Sequence, residues 1–332
     1  MNEIANNLLP FKPHPLVPGG HLQTIVGYYL PGANHVRSTK RHHIHCGDGD
    51  QLVVCENRPN RKAPFKKIIV FMHGLGGDAN SPYMLRLAHL FQNRGWTVFR
   101  MNHRGCGDGH GLAKSTYHSG KSDDVSRVLL KIADLHPGIP MLAVGLSLSG
   151  NALLKLLGQA AEAIPPTLRG AIAVTPPIEL SRCADALGKP QNRIYDRRFV
   201  RMLKTDMAER QRKFPDFPDL RFPRGCTLRH FDEICTAPLH GFTSAEDYYT
   251  QCSAKQFLAA IKTPTVLLAS QDDPFIPPET FTRLPENDIV TYHITRHGGH
   301  MGFVSANNTP LGTRRWMDYA ILAYSEGMLR HR

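Results

Sequence analysis

A chain of 332 residues, 41% of them apolar, carries enough core-forming material for a globular fold and excludes a disordered polymer. Lys and Arg number 40 against 28 Asp and Glu, a formal charge of +12, yet the densest basic stretches, RSTKRHH and RPNRKAPFKK, bring no nucleic-acid-binding fingerprint. No run approaches the roughly 18 apolar residues of a membrane span, no basic-then-apolar leader opens the chain, and seven cysteines without a CxxC pair fit free thiols in a reducing cytoplasm.

The predicted elements alternate between β and α. RHHIHC reads as a polar strand edge entering the GDGD turn, and QLVVCEN as the strand after it. KKIIVFMH is a buried strand. SPYMLRLAHLFQNRG repeats apolar residues at helical spacing and stops at Gly95. WTVFRMN is the next strand, and SDDVSRVLLKIADLHPG a helix with Ser122 as candidate N-cap and acids in its first turn. PMLAVGL, GNALLKLLGQAAEA and RGAIAVTPP read as strand, helix and strand. TPTVLLAS and DIVTYHIT come much later, before a terminal helix around TRRWMDYAILAYSEGML. This order predicts an α/β fold, a mostly parallel sheet covered on both faces, and one domain over residues 1–332. Residues 178–258 break the alternation. They are rich in Arg, Asp, Pro and aromatics, and they read as an inserted helical lid, because unstructured loops beyond about 15 residues are uncommon inside compact domains.

The stretch LAVGLSLSGNALLKL sets Ser147 between a strand and a helix in a G-x-S-x-S frame close to the G-x-S-x-G nucleophile elbow. A serine at such a turn is often only a helix cap. Ser149 is the rival nucleophile, but its own frame places Asn151 where a small residue is needed. A nucleophilic serine requires a base, an orienting acid and an oxyanion hole. In α/β hydrolases the acid and then the histidine follow the serine along the chain. Asp273, which starts a D-x-x-x-P spacing after TPTVLLAS, is the candidate acid, with Asp272 its neighbour. His300, between glycines in RHGGHMGF, is the candidate base, with His297 second. A zinc reading of that H-x-x-H fails, since two glycines make a poor helix and no Glu accompanies the pair. The backbone N–H groups of Leu148 and Leu75 are the candidate oxyanion donors. The glycine runs GLGGD and GCGDGHG lack the lysine of a phosphate-binding loop, so no cofactor and no metal are expected.

These residues resemble the YheT-like branch of the α/β-hydrolase superfamily. The likeness runs through GGHLQTI, HGLGGDANSPY, NHRGCGDG, GLSLSGN, FDEICTAPLHGFTSAEDYY, DDPFIP and HGGHMGF. The elbow of that branch is usually G-x-S-L-G-G-N, so Ser149 is a departure. The resemblance implies a serine ester hydrolase with a triad matching Ser147, Asp273 and His300, acting on a small-molecule ester that could carry a lipid acyl chain. It also implies a soluble bacterial type, with at most peripheral membrane contact, and the absent binding fingerprint argues against a nucleic-acid partner. An acyltransferase on the same triad and a non-catalytic ligand-binding hydrolase fold are the competing readings. The aromatics of residues 178–258 either wall an acyl pocket or form that segment's own small core.

Overall fold

The computed structural model describes residues 5, 7–37, 39–59 and 66–330. Residues 60–65 of the second basic stretch, Ser38 of the first, and residues 1–4 and 6 of the amino terminus lie outside the described residues.

Eight strands form one sheet: β1 (Thr39–His45), β2 (Gln51–Asn57), β3 (Ile68–Met72), β4 (Thr97–Asn102), β5 (Met141–Leu146), β6 (Leu168–Val174), β7 (Thr265–Ser270) and β8 (Val290–Thr295). Their order is β1-β2-β4-β3-β5-β6-β7-β8. The first two strands run antiparallel, and every pairing from β4 to β8 is parallel. The parallel strands β3, β5 and β7 are buried along their whole length, as strands covered on both faces must be. On β3, Ile68, Val70 and Met72 join one core while Ile69 and Phe71 join the other. Strand β1 is mostly exposed and closes the sheet edge with histidines and basic residues, a composition that discourages further strand pairing.

Helix α1 (Gly19–Tyr29) packs against the loops at Asp272 and Gly302, and the helices that cover the sheet are α2 (Pro82–Gln92), α3 (Ser122–Leu135), α4 (Leu148–Gln159) and, at the end of the chain, Trp316–Arg330. The apolar faces of α3 and α4 fill one core. Helix α2 and the terminal helix fill the other. Ser122 is the first residue of α3 and not its cap. Lys121 holds the cap position without a side-chain capping bond, and the Ser122 N–H donates to Gly120 O at 2.8 Å. Helix α1 was not among the predicted elements. Among the described residues no helix is long and apolar enough to cross a membrane.

Between β6 and β7 lie α5 (Leu180–Gly188), α6 (Arg193–Lys213), α7 (Leu228–Phe231) and α8 (Ala245–Cys252). Val200, Leu203, Met207, Phe217 and Phe231 give this segment a core of its own. Both of its ends belong to the main core instead, since Ile178, Ala254 and Leu258 are fully buried there. The buried Arg210 fastens α6 to the body by donating to the carbonyls of Arg104 and Ser115 at 2.9 and 2.8 Å.

The loop after β4 is held by a buried arginine. Arg104, its side chain 1% exposed, donates twice to Asp124 at 2.7 and 2.8 Å, to Asp50 at 2.7 Å and to Asp48 at 2.6 Å. This joins α3 to the turn between β1 and β2. Removing the cation leaves Asp124 buried and unpaired, so Arg104→Met should lower unfolding free energy by about 3–5 kcal/mol. The urea midpoint should fall with the slope unchanged. A midpoint equal to that of the parent would show that the network contributes nothing net.

Candidate active site

Ser147 stands alone between the end of β5 and the start of α4, with φ 54° and ψ −120°. That conformation is costly for any residue with a Cβ, on the order of 1–3 kcal/mol, and it turns the side chain out of the strand-to-helix corner. Two backbone bonds hold it: the Ser147 N–H donates to Val174 O, and its carbonyl accepts from Gly150 N, each at 2.8 Å. The corner is tight. A Cβ at position 145 would stand 2.4 Å from Ser149 O, so only glycine fits there.

His300 Nε2 lies 2.9 Å from Ser147 Oγ, and His300 Nδ1 lies 2.7 Å from Asp273 Oδ2. A carboxylate only accepts, so Nδ1 carries the imidazole proton and Nε2 is left to accept from the serine hydroxyl. The other oxygen of Asp273 accepts from the N–H groups of Phe275 and Ile276 at 2.8 and 3.3 Å. These bonds fix the carboxyl plane, and its side chain is fully buried. Asp272 takes a different part. Its Oδ1 accepts from Gly299 N at 2.8 Å and its Oδ2 sits 3.2 Å from His297 Nδ1. The chain therefore brings Ser147, His300 and Asp273 together and sets Asp272 with His297 as a separate pair, the latter ring 41% exposed.

Ser149 points the other way. It is fully buried, donates to the His73 carbonyl, and lies 2.7 Å from His103 Nε2. Burial pushes both His73 and His103 well down, His73 to about 4. This serine braces the elbow from beneath and has no place on the cavity wall.

The loop after β3 supplies the second candidate oxyanion donor. The N–H of Gly74 donates to Tyr83 Oη, that of Gly76 to Tyr117 Oη, that of Gly77 to Gly74 O and that of Asp78 to Ser81 Oγ, all between 2.9 and 3.1 Å. Leu75 is the residue of this loop whose N–H has no acceptor among the described residues. Leu75 and Leu148 both line the cavity beside Ser147. Sequence reasoning missed both tyrosines: Tyr117 reaches the loop from 41 residues away and no local pattern marks it, whereas Tyr83 stands at the start of α2 within the quoted HGLGGDANSPY and was overlooked.

It also missed α1, which buttresses the candidate base. The buried face of this helix is Gly20, Gln23, Thr24 and Gly27. Thr24 Oγ1 accepts from His300 N at 2.8 Å. The Gln23 amide donates to Val17 O and Val304 O and accepts from Val304 N, at 2.9, 3.2 and 2.7 Å. Gly20 packs so closely that a Cβ would stand 1.6 Å from Asp272 O. The stretch GGHLQTI, noticed only as a signature, was the available signal.

A cavity of about 110 Å³ opens over Ser147, between the sheet and the segment inserted after β6. The aromatics of that segment divide. Phe199, Phe231, Tyr248 and Tyr249 line the cavity, while Phe214, Phe217 and Phe222 pack into the segment's own core, and Phe242 packs beside Tyr248. The cavity also touches Asp232, whose carboxyl is bonded by the hydroxyls of Thr236 and Tyr249 at 2.6 and 2.7 Å and is pushed up to about 6 by burial.

A family model described as serine aminopeptidase, S33, matches residues 63–303. YheT of Escherichia coli (strain K12), a candidate esterase by name, is 34% identical over 82% of this chain and 81% of its own. Phospholipase ABHD3 of Mus musculus is 27% identical over 87% of this chain and 71% of its own. Among solved structures, the Pyrococcus furiosus esterase Pf2001 superposes with a TM-score of 0.54 at 13% identity, over 86% of this chain and 92% of that one. An acylaminoacyl peptidase superposes with a TM-score of 0.53 at 16% identity over 87% of this chain, which spans 41% of that longer chain. The structural likenesses show the α/β-hydrolase fold.

The Thr24–His300 bond yields a direct test. Thr24→Val keeps shape but leaves the His300 N–H without its acceptor, so the ring should drift from Ser147. Ester turnover should fall by roughly tenfold, about 1.4 kcal/mol of barrier, with a smaller change in KM. Unchanged kcat would show that α1 does not position the ring.

Proposed function

The chain belongs to the serine aminopeptidase S33 family and to the YheT-like branch of the α/β-hydrolase superfamily, and on that premise we propose that it is a serine carboxylic-ester hydrolase working through an acyl-enzyme. The observation that carries the proposal is the continuous hydrogen-bonded line from Ser147 through His300 to Asp273. In this reading Ser147 Oγ attacks the ester carbonyl while His300 Nε2 takes its proton. Asp273 holds the ring in the required tautomer and stabilises the imidazolium. The negative charge that develops on the carbonyl oxygen is met by the N–H groups of Leu148 and Leu75. Such a donor typically lowers the barrier by about 3–4 kcal/mol. His300 then returns the proton to the departing alcohol, and a water activated by the same ring releases the acid.

Supporting an ester substrate are the esterase and phospholipase names of the two relatives and the apolar cavity beside Ser147. We further propose that the cavity holds the acyl chain and that residues 178–258 act as its lid. A volume of about 110 Å³ gives room for roughly four water-sized groups at about 30 Å³ each, the size of a short acyl chain.

Fluorophosphonate labelling should be lost in Ser147→Ala and kept in Ser149→Ala; label retained at Ser149 in the first variant would reassign the nucleophile. Asp273→Asn should lower turnover by about 10⁴ and Asp272→Asn far less. The reverse ranking would move the acid. Chain-length selection follows from burial at about 0.8 kcal/mol per methylene. Across acetyl to dodecanoyl esters of one leaving group, kcat/KM should rise a few-fold per methylene and level off near four to six carbons. A flat series from acetyl onward would place the acyl chain elsewhere. Added alcohols should compete poorly with water at deacylation; dominant ester exchange would favour an acyltransferase.

A further inference from the structure

Helix α1 packs with its amphipathic pattern reversed. Glycines, Gln23 and Thr24 face the protein, while Leu22, Ile25, Tyr28 and Tyr29 face solvent at 44, 43, 45 and 68% exposure. Leu16, in the turn leading into the helix, is 83% exposed, and Ile194, at the start of α6, is 80% exposed. Six of the ten exposed large hydrophobics among the described residues thus lie on these two neighbouring helices and the turn before the first. Helices α1 and α6 are joined side by side. The His21 ring stacks on Tyr195 at 5.7 Å, and the Arg198 guanidinium lies 5.6 Å over the Tyr28 ring.

The rim of this patch has one sign of charge. Arg193, Arg197, Arg198 and Arg201 are all exposed on α6. The acid among them, Asp196, turns inward and accepts from Leu228 N at 2.8 Å. Apolar and tyrosine side chains beside a row of arginines match the chemistry of a bilayer surface. The apolar groups enter the acyl boundary, tyrosines sit at headgroup level, and arginines meet anionic headgroups. A second copy of the chain fits less well, since a symmetric contact through this face would set one arginine row against another.

The patch also borders the site. Tyr195 stands 4.8 Å from Phe275, and Phe275 stands 4.5 Å from His300, ring centre to ring centre. We propose that the outer face of α1 and the first turns of α6 form a docking surface for anionic lipid bilayers, which holds the His300 side of the cavity against the membrane. The proposal extends the ester-hydrolase reading toward a lipid-borne substrate, and binding and turnover are measured separately so that either can fail alone.

Flotation of the full chain with vesicles tests it. Vesicles of equal parts phosphatidylcholine and phosphatidylglycerol should carry the protein up, and vesicles of phosphatidylcholine alone should not. The paired variant Ile25→Glu/Tyr29→Glu should lower the bound fraction by about tenfold or more, as should Arg197→Glu/Arg201→Glu, and high salt should mimic the arginine change. Both variants should hydrolyse a soluble short-chain ester at the parental rate, which shows that they fold. Binding that survives both variants, or parental protein that floats with neither vesicle, would overturn the proposal. So would a concentration-dependent dimer in light scattering that the Ile25→Glu/Tyr29→Glu variant abolishes, since the patch would then serve a second copy. Vesicle binding that persists in a protein unable to turn over any ester would leave the docking surface standing and remove the hydrolase reading.

Discussion

The strained backbone of Ser147 is the constraint around which the rest of the site is arranged. A residue with a Cβ stays at φ 54° only where its surroundings leave no relaxed alternative. Here β5 and α4 meet too closely for a side chain at position 145, and the Ser147 peptide is bonded to the end of β6 and to Gly150. The same closeness fixes Ser149 beneath the corner, against His73 and His103. One turn therefore gives two serines opposite environments, one on a cavity and one sealed from it. The departure from glycine at 149 is accommodated because its hydroxyl finds two partners where a bare Cβ would find none.

The opposing half of the site depends on a helix that brings little apolar burial of its own. Helix α1 presents small and polar groups to the His300 loop, and each of them is bonded to or packed against backbone. Directional bonds hold a loop in one position better than non-directional apolar contact does, which suits a segment that must keep an imidazole within hydrogen-bond reach of two partners. The consequence is that the helix's apolar residues are left on the outside. Positioning inside and an exposed apolar patch outside are two results of one inverted pattern.

Much of this was readable from the residues. Buried parallel strands announce themselves as unbroken apolar runs such as IIVFM and MLAVGL, and the spacing of small residues around Ser147 marks a strand-to-helix corner. The separation of Asp273 from Asp272 was readable through the proline that ends its turn. What escaped did so for physical reasons. Helix α1 reverses the periodicity by which surface helices are recognised, and it opens on two glycines. Of the tyrosines that hold the Leu75 loop, Tyr117 bonds from a distant segment and leaves no local pattern, while Tyr83 opens the next helix and no signal in HGLGGDANSPY says that its hydroxyl turns back to the loop. The Ser122 cap failed because the helix begins at Ser122 itself, which leaves Lys121 in the cap position. The aromatics after β6 divided because Phe199, Phe231, Tyr248 and Tyr249 stand on α6, α7 and α8 along the cavity while Phe214, Phe217, Phe222 and Phe242 stand in the loops between those helices, and composition alone carries no information on that.

The central claim is that Ser147, set out by its strained corner, becomes covalently acylated. The direct measurement is mass analysis of enzyme quenched with acid during steady turnover of a p-nitrophenyl ester, with peptide fragmentation to locate the adduct. The account predicts an added acyl mass on Ser147, matched in amount by an initial burst of nitrophenolate. An adduct on Ser149 or elsewhere, or turnover with a burst and no acylated residue, would contradict it.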